Sequence, residues 1–67
     1  MPLITIESGE LTTKQKEQLI EKMTQVASQI TNVPSDFFFV TIKELSDSNI
    51  GIGGKTIDKI KAEYKGQ

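Results

Sequence analysis

SDFFFVTIKE, residues 35–44, is the stretch on which the fold turns. A strand with one wet face alternates apolar and polar side chains, but Phe37, Phe38, Phe39 and Val40 run without a break. Such a run marks a strand covered on both faces. The reading is a strand over 35–44 that something must cover twice. The chain has only 67 residues, and a domain of that size hides only about 60 % of its unfolded surface. One helix covers one face. The other face calls for a second copy of the chain.

Upstream of this strand, Leu3 to Ile6 reads as a first strand that ends in the loop formers Ser8 and Gly9. Thr12 and Gln15 then have the Thr-x-x-Gln spacing of a capping box, in which each side chain satisfies the other's backbone amide. Leu19, Ile20, Met23, Val26, Ala27 and Ile30 trace one face of a 3.6-residue helix. That helix should stop near Asn32, because Pro34 disfavours helical geometry at Val33. Strand, helix and strand in this order make a β-α-β unit with parallel strands and a right-handed crossover. Two parallel strands are too few to stand alone, which again calls for a partner's sheet.

Downstream, ELSDSNIGIGGK (residues 44–55) gathers turn formers and three glycines in four positions, which suits a short hairpin or an excursion that docks on a neighbour. In TIDKIKAEY, Ile57, Ile60 and Tyr64 have the spacing of a short helix. Lys65 to Gln67 should fray. The fold expected is α/β (α+β): one domain over 1–67, a β-α-β protomer with parallel strands and a C-terminal hairpin or short helix, assembling into oligomers.

Composition excludes several classes of function. There is no cysteine and no histidine, so neither disulfides nor the usual zinc ligands are present, and no metal or cofactor is expected. Eight lysines against nine carboxylates leave a net charge of −1, without the basic stripe of a nucleic-acid binder. The run Phe37–Val40 is far too short to span a membrane, and MPLITI lacks the basic flank and apolar length of a signal peptide. A cytoplasmic, soluble protein is the expectation. NIGIGGKT (residues 49–56) ends like a phosphate-binding loop, but Asn49 stands where the first glycine belongs, and too little chain follows for a nucleotide hydrolase. The tail lysines Lys55, Lys59 and Lys61 read as a solvated face.

The N-terminus carries chemistry of another kind. Removal of Met1 would leave Pro2 with a free secondary amine, whose pKa near 8 can be lowered by burial or nearby cations. Such an amine can serve as a general base near neutral pH.

Pro2 leading straight into a strand, a capped helix carrying QKEQLI (residues 15–20), Pro34 before the second strand, and Gly51-Ile52-Gly53-Gly54 together resemble the 4-oxalocrotonate tautomerase family. The likeness runs from Pro2 to about Lys55. It implies β-α-β protomers that pair into dimers and usually hexamers. It also implies an amino-terminal proline that moves protons between oxygen and carbon of enol and keto acids. The family's arginines are missing, for the chain contains none. By the resemblance, Leu11 (or Glu10) stands in the place of the loop arginine, Phe39 in that of the second-strand arginine, and Ile50 in that of the pocket aromatic. Lys43, four positions beyond Phe39 on the same strand face, is a candidate replacement cation. The function expected is enol–keto proton transfer by Pro2 on a small 2-oxo or 2-hydroxydienoic acid. The alternative is a weak or inactive oligomeric relative that binds a small ligand.

Overall fold

The computed structural model describes residues 1–64, so the expectation for Lys65 to Gln67 lies outside the described residues. Strand β1 (Leu3–Ser8) leads into helix α1 (Thr13–Thr31), and a 3-10 turn (Ser35–Phe37) precedes strand β2 (Phe39–Glu44). A second 3-10 turn (Asp47–Asn49) is followed by the short strands β3 (Gly51–Ile52) and β4 (Lys55–Thr56) and by helix α2 (Ile57–Glu63).

β1 and β2 pair in parallel, in register from Leu3 opposite Phe39 to Ser8 opposite Glu44. The ladder continues at both ends. The Phe39 amide donates to the Pro2 carbonyl at 3.0 Å and the Leu45 amide to the Ser8 carbonyl at 2.9 Å. Period-2 alternation puts Leu3, Thr5, Glu7, Phe39, Thr41 and Lys43 on one face. The other face, with Ile4, Ile6, Val40 and Ile42 half-buried, lies under α1.

α1 starts and stops where its caps put it. Thr12 Oγ1 accepts from the Gln15 amide at 3.1 Å, and Gln15 Oε1 accepts from the Thr12 amide at 2.9 Å. Two of the four unpaired amides of a helix start are thereby satisfied. At the far end Asn32 takes the left-handed conformation, φ 61°, and its amide donates to the Ser28 carbonyl at 2.9 Å. Asparagine tolerates that conformation better than most residues, and Pro34 closes off continuation.

Two strand boundaries differ from the sequence reading. β1 runs to Ser8 rather than Ile6, because the ladder to β2 holds through Ser8 opposite Glu44. β2 begins at Phe39 rather than Ser35, because Pro34 sets up a 3-10 turn in which the Phe37 amide donates to the Pro34 carbonyl at 3.0 Å. Phe37 and Phe38 therefore sit outside the strand, and the apolar run is half turn and half strand. In the single chain one sheet face is uncovered. Phe39 is 53 % exposed and its neighbour Leu3 62 %.

The hairpin expected of the glycine run is present. Gly53 and Gly54 form its two-residue turn with φ of 61° and 85°. That pair of values matches a type I′ turn, whose twist suits adjacent strands. β3, β4 and α2 pack on one another and on the Asp47–Asn49 turn, forming an arm that extends from the β-α-β body. The radius of gyration is 15.7 Å, against about 11 Å for a compact chain of this length. Among the described residues no side chain is fully buried, and no helix is long and apolar enough to cross a membrane.

Candidate active site

Pro2 stands at the head of β1, half-buried, with its carbonyl held by the Phe39 amide. Here its nitrogen is in an amide with Met1, which is 86 % exposed. Its neighbour Met1 lines a cavity of about 310 Å³ with Asp36, Phe37 and Phe39. Pro2 and Phe39 are thus brought together at one end of the sheet, as neighbours across the two strands. Lys43 shares the Phe39 face but lies about 13 Å further along β2 at ~3.3 Å per residue. Its cross-strand neighbour is Glu7.

Leu11 is elsewhere. It follows the far end of β1, about 20 Å from Pro2 at the usual strand rise. Its position is set by a clasp: the Leu11 amide donates to Glu44 Oε2 at 2.8 Å, and Lys16 Nζ donates to Glu44 Oε1 at 3.1 Å. The amide from Leu11 first, and the Lys16 ammonium second, hold the Glu44 carboxyl below its ordinary value. Ile50 lies beyond the same end of the sheet. The chain reaches it through Leu45 and through Asp47, which sits beside Gly9. The Ile50 carbonyl accepts from the Ile57 amide at 2.8 Å and closes the base of the hairpin. One chain therefore gathers Pro2 and Phe39 at one end and Leu11 and Ile50 at the other, with Lys43, next to last in β2, near that second end.

Leu11 also lines a groove of about 340 Å³ with Gln15, Gln18, Leu19, Lys22 and Met23 of α1. The Glu44 clasp and this groove escaped the sequence reading. Glu44 lies 33 residues from Leu11 and 28 from Lys16, and no local spacing signals a contact so distant. The helix spacing did place Leu19 and Met23 on one face, but it could not show Leu11 folding back beside them. In the glycine run, Lys55 Nζ is paired with Glu63 Oε1 at 3.2 Å across the arm. Among the described residues no cluster of three carboxylate, histidine or cysteine side chains could hold a metal ion.

Residues 2–60 match the family model described as tautomerase enzyme. The chain is 36 % identical over 58 residues to a Bacillus cereus protein named "Probable tautomerase", an alignment covering 85 % of this chain and 95 % of that one. A crystal structure of "apo unFused 4-OT" superposes with a TM-score of 0.82 at 28 % identity, covering 88 % of this chain and 98 % of that one. A Chloroflexus aurantiacus protein described as a heterohexamer 4-oxalocrotonate tautomerase superposes with a TM-score of 0.77 at 20 % identity, covering 91 % of this chain and 98 % of that one. At that identity the last likeness concerns the fold alone.

Proposed function

The chain belongs to the tautomerase family, and from that premise we propose that it interconverts enol and keto forms of a small 2-oxo or 2-hydroxydienoic acid, with Pro2 as the base once Met1 has been removed. The observation that carries this reading is the placement of Pro2, at the head of a strand and fixed through its carbonyl by the Phe39 amide. A secondary amine there takes the proton from the enol oxygen and, as the ammonium, returns it to carbon.

What the site lacks is a strong cation. With no arginine in the chain, negative charge developing on the substrate oxygen falls to backbone amides or to Lys43 of another copy, since a chain's own Lys43 stands near the far end of β2 from Pro2. A lysine supplies a point charge but not the two-pronged geometry of a guanidinium. Leu11, Phe39 and Ile50 supply apolar walls in place of charged anchors. The substrate is accordingly less charged than a dicarboxylate.

Assembly belongs to the same reading. Leu11 and Ile50 stand a strand's length from Pro2 in one chain, so only another copy can bring them to it. Dimers that build a hexamer would do so.

Ketonisation of a simple enol acid, measured on protein whose mass verifies loss of Met1, tests the chemistry. Pro2→Ala should lose about 10²–10⁴-fold, the usual share of a general base. Equal rates for the two proteins would overturn the proline mechanism and leave a ligand-binding relative. A loss for Pro2→Ala with none for Lys43→Ala would keep the base and discard the lysine.

A further inference from the structure

The groove along the first turns of α1 has a chemistry of its own. Leu11, Leu19 and Met23 give it an apolar floor, and Gln15, Gln18 and Lys22 complete the lining. Among the described residues no carboxylate lines it. The nearby Glu44 has both oxygens engaged, by the Leu11 amide and by Lys16. Lys16 is spent on that pair, whereas Lys22 makes no ion pair among the described residues. Gln15 uses its side-chain oxygen on the Thr12 amide, which leaves its NH₂ group as the free end. The polar side of the groove is therefore rich in donors and carries one uncommitted positive charge. Its volume of about 340 Å³ falls within the ordinary range for small-molecule sites, about 300–1,000 Å³.

We propose that this groove seats a small monocarboxylate with an unbranched apolar tail. The carboxylate meets Lys22 and the glutamine amides, and the tail lies on Leu11, Leu19 and Met23. One cation balances one carboxylate. A second carboxylate at the tail end would sit against leucine and methionine with no partner, and stripping it of water there is costly. That this acid is the substrate, or resembles it, rests on the tautomerase reading; the affinity of the groove for it does not.

Hexanoate and adipate separate the two ideas, because they have the same carbon number and neither can be ketonised. Titrated into the full chain at neutral pH, hexanoate should bind about tenfold more tightly than adipate. It should shift the amide resonances of Leu11, Gln18 and Lys22. Lys22→Gln, an exposed change that leaves the fold intact, should weaken hexanoate about threefold, the scale of one exposed charge pair. Leu11→Arg should narrow or invert the preference, since a guanidinium would partner the second carboxylate. Equal or tighter binding of adipate, an unchanged affinity in Lys22→Gln, or shifts confined to another region would overturn the proposal. Pro2-dependent ketonisation without the hexanoate preference would remove the groove and keep the tautomerase reading. The preference without Pro2-dependent ketonisation would do the reverse.

Discussion

The β-α-β body and the C-terminal arm are specified in different ways. The body draws on long-range pairing: six residues of β1 stand in register with six of β2. Its helix is capped at both ends by its own side chains or backbone. The arm has strands of two residues and a helix of seven. Its shape comes from a glycine turn and from two ion pairs, Lys55 with Glu63 at 3.2 Å and Lys61 with Asp47 at 2.8 Å. Exposed ion pairs of this kind are screened by water and contribute little. Ile52 and Tyr64 are 65 % and 69 % exposed. The body is held by long-range pairing and two helix caps, whereas the arm is held by local turns and exposed ion pairs.

The largest effect expected from breaking this arrangement comes from the body. Phe39→Asp would place a charge on the sheet face that Leu3 and Phe39 leave open, at the contact where another copy is proposed to pack. An unpaired buried charge costs several kcal/mol, about the whole stability that a core of this size supplies. Sedimentation and circular dichroism should show loss of assembly together with loss of helix. A stably folded monomer of the unaltered chain at micromolar concentration would show that the body needs no partner.

Much of this division is legible in the sequence, and the parts that are not share a cause. Thr12, Gln15 and Pro34 announce the helix boundaries, because capping and proline geometry act over a few residues. The paired glycines announce the hairpin for the same reason. The start of β2 is hidden in the sequence, because apolar continuity at Phe37 and Phe38 masks the turn that Pro34 sets up. Pro2 is visible as a candidate base because its chemistry needs only its position behind Met1. The separation of Leu11 from Pro2, and the clasp of Glu44 on the Leu11 loop, depend on strand direction and on contacts across dozens of residues. No spacing along the chain encodes them.

A matched pair of substitutions sharpens the contrast at intermediate size. Gly54→Ala forces φ of 85° on a residue with a Cβ, at a cost of about 1–2 kcal/mol. This should loosen the arm and weaken assembly, while isolated-chain helix content changes little. Gly53→Asn should be tolerated, since asparagine-glycine suits a type I′ turn. Thr12→Ala acts on the body instead. It removes the cap of α1 and should lower the urea midpoint by the equivalent of about 1 kcal/mol. If Gly54→Ala lowered helix stability as much as Thr12→Ala, arm and body would be one cooperative unit.

The smallest effect separates the two regions by pH. Glu44 is held below its ordinary 4.5 by the Leu11 amide and by Lys16. A depressed carboxyl contributes stability that is present above the ordinary value and lost as pH falls through the folded one. Lys61 is held above its ordinary 10.5 by its hydrogen bond to Asp47 and by the Asp47 charge, with Glu10 adding to the same effect. Its contribution is present below the ordinary value and lost as pH rises through the folded one. Acid should therefore release the Leu11 loop of the body, and alkali the tie between α2 and the Asp47 turn. Both groups face water, so each effect is modest and is best read locally. The Leu11 amide resonance should titrate below pH 4.5 in the unaltered chain and stop doing so in Glu44→Gln. Resonances of Asp47 and its neighbours should respond above pH 10.5 and lose that response in Lys61→Gln. A single transition shared by both regions at either extreme would mean that the clasps are not independent, and that the arm is tied to the body more firmly than its few contacts suggest.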